Sequence, residues 1–123
     1  MKKLFIAALG VLALVSCAPK CETAHTKWAY DATISELNTR QLTEEGTFAA
    51  AEALLPEIKE SGVDIIWIMP IQPIGELTRK GTLGSYYSIV DYCAFNPEFG
   101  TRADFEHFLA EAHNLGLDRK SVV

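Results

Sequence analysis

Cysteine is scarce, three in 123 residues. No C-x-x-C spacing occurs among them, so the usual cysteine framework of a structural zinc site is missing. Positive charge is also in short supply. Eleven Lys and Arg stand against sixteen Asp and Glu, a formal net charge of −5. Nucleic-acid binding selects basic patches, so this balance argues against such a partner. There is no internal repeat and no low-complexity tract. Long apolar runs are absent too. The longest, Leu4–Val15, is about twelve residues, too short to cross a bilayer comfortably.

That run has a different use. Met1-Lys2-Lys3 is a short positive segment, and the apolar stretch after it has the length of an export-signal core. Leu14-Val15-Ser16-Cys17 then places a small residue immediately before a cysteine. The pattern resembles a bacterial lipobox, in which Cys17 becomes the lipidated first residue after cleavage. The alternative is an ordinary cleaved signal with an incidental cysteine. Lipidation implies an exported, membrane-anchored protein, periplasmic or at the cell surface. Of the other cysteines, Cys21 lies in a polar stretch and Cys93 in an apolar-aromatic one. The expectation is that they stay unpaired and that Cys93 packs inside.

Ala18 to about Lys27 is polar and aperiodic and reads as a tether. Asp31–Asn38 alternates weakly and reads as a strand. Thr47 is placed to cap a helix whose apolar face is Phe48, Ala51, Leu54, Leu55 and Ile58. Pro56 falls inside that pattern and must kink or split it, and Gly62 is placed to end it. Val63–Met69 is nearly unbroken apolar sequence, the mark of a strand in a parallel sheet. Strand, helix and buried strand in this order form a βαβ unit and point to an α/β fold. Gln72–Asn96 is long, rich in glycine and aromatics and without a period. A loop of that length is functional or disordered, and Tyr86, Tyr87, Tyr92 and Phe95 argue against disorder. Thr101 begins a second helix, with Phe105, Phe108, Leu109, Ala112 and Leu115 as its buried stripe. A third buried strand is then due, but Leu117–Val123 has three consecutive charged residues and does not read as one. The expectation is a truncated chain with an aberrant end. It would leave Ile65, Trp67 and Met69 poorly covered.

In order along the chain stand Glu36-Leu37-Asn38-Thr39-Arg40-Gln41, Gly46-Thr47-Phe48, Val63–Ile71, Gly75-Glu76, Lys80-Gly81-Thr82, Gly84–Ser88, Asp91-Tyr92, Asn96–Thr101, Asp104-Phe105 and Ala112–Gly116. Together they resemble the start of the catalytic barrel in the α-amylase superfamily, glycoside hydrolase family thirteen. The first block resembles the first barrel strand. Ser35 stands where the family commonly has an aromatic residue, and Leu42 where it has Phe, so packing there should be weaker. The resemblance implies an α/β fold, a partial (β/α)8 TIM barrel holding the first two βα units only. The organisation expected is a signal over 1–16, a tether over 17–27, the N-terminal part of the catalytic domain over 28–117 and an aberrant end over 118–123. Such barrels carry their sites on the loops after the strands. That places Gln72–Asn96 on the catalytic face.

Within that loop, Tyr87-x-x-x-Asp91-Tyr92 matches the family motif whose first tyrosine stacks on a sugar ring. An aromatic face suits the C–H face of a pyranose. The alternative for Tyr87 is a buried packing role. Tyr86 is the second substrate-binding candidate, with packing as its competing role. Asp91 is expected to order the loop rather than react, and Asn38 and Arg40, at the end of the first strand, to support the rim. Asp64 reads as solvated or capping and His113 as a helix-end histidine. His107 has no partner by spacing, and Arg79 and Lys80 read as exposed loop cations, with contact to substrate hydroxyls as the alternative. The family's retaining chemistry uses two carboxyl groups about 5 Å apart, carried on later strands, so none of the carboxylates here takes those roles. The expected protein acts on α-glucosidic bonds of starch-like glucans or maltooligosaccharides, and this stretch alone is expected to be inactive. No cofactor is implied for this stretch, and calcium is left open for a complete enzyme. The alternative is a non-catalytic carbohydrate-binding lipoprotein on the same scaffold.

Overall fold

Val63–Met69 has apolar side chains on both faces of an extended chain, so it can pair on both edges inside a sheet. It becomes the middle strand. The computed structural model describes residues 27–121. Its sheet has three parallel strands in the order β1 (Ile34–Leu37), β2 (Ile65–Ile68) and β3 (Asp118–Ser121). Ile34 pairs with Ile65 and Leu37 with Ile68; Ile65 in turn pairs with Asp118 and Ile68 with Ser121. Ile66 and Ile68 are each 1% exposed. Ile65, Trp67 and Met69, on the other face, are half-buried. The partial cover expected for that face is therefore what the sheet shows.

β3 corrects the expectation that Leu117–Val123 does not form a strand. The ladder is made by main-chain groups, which charged side chains do not remove. Leu117, at its entrance, is buried, and its N–H donates to Ala112 O at 2.9 Å. The two βα units are thus followed by a third strand. A separate short 3-10 turn, Lys27–Tyr30, precedes this unit along the chain.

The first strand is shorter than the pattern suggested. It ends at Leu37, and Thr39–Leu42 is a helical turn, α1, rather than a continuation of the strand. Asn38 carries the change of direction, its carbonyl accepting from the N–H groups of Gln41 and Leu42. The next helix is split: α2 spans Phe48–Glu52 and α3 spans Leu55–Glu60. Pro56 lies in the first turn of α3, where its missing N–H has no helical partner to lose. Thr47 Oγ1 accepts from Ala50 N at 3.3 Å and starts α2. α4, Arg102–Asn114, begins with a capping box in which Thr101 and Asp104 each satisfy the other's backbone N–H.

The core lies between the sheet and these helices. Phe48 is its centre, with ring centroids of Phe105, Phe99 and Phe108 at 5.0, 6.0 and 6.4 Å. Leu55, Ala51, Ile66, Ile68 and Leu117 complete it. A small cavity of about 80 Å³ remains beside Ser35, Leu37, Leu42, Ile58 and Ile66. It is lined by both residues that depart from the family's larger ones. Cys93 is exposed and unpaired, which corrects its expected packing role. The signal, Cys17 and Cys21 lie outside the described residues. Among the described residues no helix is long and apolar enough to cross a membrane.

Candidate functional site

In a parallel sheet every strand leaves at the same edge, so the segments after β1 and β2 share one rim. The segment after β2 runs from Met69 to the 3-10 turn Pro97–Phe99. It is long, but it closes on itself. Ile74 and Ile89 form an antiparallel bridge. Gly75 N–H donates to Ser88 O at 2.7 Å and Val90 N–H to Pro73 O at 3.1 Å. The root is tied by Asn96 N–H to Ile71 O at 2.8 Å. Gln72 and Asn96 are buried there, their side-chain oxygens accepting from Ile71 N and Glu98 N.

Inside the closed neck, Arg79 braces the backbone. Its guanidinium donates to Ile74 O at 2.9 Å, Gly75 O at 3.0 Å and Thr82 O at 3.4 Å. Arg79 is half-buried, so the reading of it as an exposed loop cation is corrected. Lys80 is exposed. Gly84 has φ +69°, and a Cβ there would meet Arg79 Cγ and Ile74 Cγ2, each at 3.0 Å. Only glycine lets the chain pass this close in that conformation.

The two candidate tyrosines part company. Tyr87 is 54% exposed, its N–H donating to Ser85 Oγ at 3.3 Å. Tyr86 is half-buried against the core, with the Arg40 guanidinium 4.8 Å from its ring centroid. Arg40, just past β1, also lies 5.6 Å from the Phe99 ring and pairs with Glu98. Asn38 stands beside it at the strand end, its Oδ1 buried and without a hydrogen-bond partner. Asp91 is exposed, and its Oδ1 accepts from Cys93 N at 2.8 Å, closing a local turn. Arg40 and Tyr86 are therefore brought together, with Asn38 at the same rim, while Tyr87 faces solvent.

A polar cleft of about 220 Å³ opens beside this group, lined by Arg40, Glu76, Arg79, Leu83, Asn96 and Glu98. Its two cations and two carboxylates balance in formal charge. Tyr87 is exposed on the same loop and does not line this cleft. Among the described residues no cluster of three or more His, Cys, Asp or Glu could hold a metal ion. Glu98 was missed in the sequence; its partner Arg40 is remote along the chain, and no local spacing joins them.

Away from the loop, Asp64 Oδ2 accepts from Thr33 N at 3.0 Å and its other oxygen lies 3.6 Å from Lys59 Nζ. The Thr33 hydrogen bond, with help from Lys59, holds its carboxyl below the usual range. Asp64 therefore ties β1 to β2 at the edge opposite the loop. His113 is exposed in the last turn of α4. His107 does have a partner, Glu52, which corrects the expectation from spacing.

The family described as alpha amylase, catalytic domain, matches residues 28–119. An alpha-amylase from Lactobacillus plantarum is 48% identical with a TM-score of 0.72, over 73% of this chain and 21% of that one. A maltogenic alpha-amylase from Thermotoga neapolitana is 35% identical with a TM-score of 0.69, over 73% and 22% of the two chains. The alpha-1,4-glucan:maltose-1-phosphate maltosyltransferase of Rhodospirillum rubrum is 38% identical over an 87-residue alignment, covering 59% of this chain. The chain spans 13% of that protein's length. These likenesses establish the three-stranded sheet and its helices as part of a (β/α)8 barrel.

Proposed function

This chain belongs to the alpha-amylase catalytic-domain family, and on that premise we propose that it forms the first part of a barrel that cleaves or transfers α-glucosidic bonds in starch-like glucans. The observation that carries the reading is the position of Tyr87. Its ring is more than half exposed on the loop that leaves the C-terminal end of a barrel strand, where active sites of this fold are built. A ring so placed offers a flat apolar face to a glucose unit, and the cleft lined by other residues of the same loop offers hydrogen bonds to hydroxyls.

The chemistry proposed is retaining. One carboxylate attacks the anomeric carbon and the leaving oxygen is protonated by a second carboxyl group, which then activates water or an acceptor sugar. Neither role is assigned within this chain. Of the carboxylates near the site, Glu98 pairs with Arg40 and Asp91 accepts from the Cys93 N–H. The small share of its relatives' length that the chain spans supports the same reading. The test is maltoheptaose turnover followed by proton NMR. The 123-residue chain leaves the sugar intact, whereas protein read from the whole gene releases or transfers products with the α-anomer formed first. Turnover by the chain alone, or an inert whole-gene product that only binds sugar, overturns the proposal.

The lipobox-like Leu14–Cys17 supports a further proposal, that the protein is exported and anchored to a membrane through Cys17. Mass spectrometry of the membrane fraction should find a diacylglyceryl-modified N-terminus at Cys17. Cys17→Ala should release the protein from that fraction.

A further inference from the structure

Tyr86 and Tyr87 are identical neighbours with opposite fates. One packs half-buried against the core and the other is 54% exposed. Nothing in the pair itself decides which ring turns inward. The difference between them lies in what meets Tyr86 from another part of the chain. The Arg40 guanidinium is 4.8 Å from the Tyr86 centroid and 5.6 Å from the Phe99 centroid, so it bridges two rings. Its side chain is only 17% exposed. Arg40 is itself fixed by its place in α1, directly after the buried Thr39.

We propose that Arg40 is a positioning residue that holds Tyr86 inward and so selects Tyr87 as the ring offered to a glucose unit. The sugar part of this statement rests on the function proposed above; the choice between the rings does not. A guanidinium is flat and weakly hydrated, so it lies against aromatic faces and still donates in its own plane. Here it contacts both rings and pairs with Glu98 at once. An ammonium is a compact, strongly hydrated point charge and cannot satisfy all three. Glu98 has 59% of its side chain exposed, so solvent screens the ion pair. Ring contact, rather than the salt bridge, sets the position.

The test uses the whole chain with carbon-13 in its four tyrosine rings and a soluble nitroxide that broadens exposed resonances. In the unmodified chain Tyr87 is broadened and Tyr86 is sheltered, and the Arg40 Cδ protons are shifted upfield by the two rings. Arg40→Lys should expose Tyr86 to the nitroxide while amide resonances of β2 and α4 stay in place. Glu98→Gln should keep the original pattern. Added maltoheptaose should move the Tyr87 resonance and not that of Tyr86, and Arg40→Lys should raise the midpoint about tenfold. A Tyr86 ring that stays sheltered in both Arg40→Lys and Arg40→Met overturns the inference, as does loss of the pattern in Glu98→Gln. Should the Arg40 variants not fold, the upfield shift decides: it must be present in the unmodified chain and shrink in Tyr86→Leu to the part that Phe99 supplies. If the rings behave as stated but no sugar moves Tyr87, the sugar reading fails and the positioning role stands.

Discussion

His107 Nδ1 lies 2.6 Å from Glu52 Oε2, joining the exposed flank of α4 to the end of α2. The hydrogen bond to Glu52, and then its charge, raise the pKa of His107 above the ordinary 6.5; Glu111 and Asp104 add to this. A group whose folded pKa is raised stabilises fully below its unfolded value and loses that contribution as pH rises through the folded value. The melting temperature should therefore fall as pH is raised from about 6.5 through the raised value. Glu52→Gln should flatten that part of the profile, measured by circular dichroism at several pH values.

Asp104 behaves in the opposite sense. Its side-chain and backbone hydrogen bonds from Thr101 hold its pKa below the usual 3.8. The capping box is thus present above the ordinary carboxylate pKa and is lost as pH falls through the lowered value. At neutral pH, Thr101→Ala should cost about 1 kcal/mol, seen as a lower midpoint in urea with an unchanged slope.

The cavity between Ser35 and Leu42 has an evident remedy. Leu42→Phe adds ring volume beside a space of about 80 Å³. It should stabilise the chain by about 0.5–1 kcal/mol, since part of that space opens to solvent. A melting point that drops instead would show that Ile58 and Ile66 cannot make room.

Gly84→Ala should damage the loop and spare the sheet. The new methyl would meet Ile74 and Arg79 at 3.0 Å in a left-handed conformation, costing about 1–3 kcal/mol. Amide exchange should accelerate at Gly75 and Val90, which close the neck, and stay slow at Ile66 and Ile68.

Tyr87→Ala removes an exposed ring and little packing. Its melting temperature should stay within about 1 °C of the parent, as for surface changes generally. Maltoheptaose affinity should fall roughly fivefold, the equivalent of about 1 kcal/mol of ring contact. Undiminished affinity would remove Tyr87 from the sugar site.

Much of the fold was legible because it rests on local pattern. The apolar run at Val63–Met69, the spacing of Phe105, Phe108 and Ala112, and the Thr47 and Thr101 caps each state a local preference that the packed molecule keeps. Pro56 announced an interruption between α2 and α3. β3 was not legible, because Asp118-Arg119-Lys120 carry no apolar signal and the strand is held by the backbone of β2. The inward turn of Tyr86, the brace of Arg79 on three carbonyls and the His107–Glu52 pair were not legible either.

The sequence by itself determined the order of β1, the split helix, β2 and α4, most of the residues that fill the core and the family, since burial and hydrogen-bond closure act through short periodic patterns. Only the tertiary structure decided which of two adjacent tyrosines meets solvent and which charges meet each other. Those outcomes depend on groups that are distant along the chain and close in space, such as Arg40 against Tyr86 and Glu98. No spacing within one segment encodes that distance.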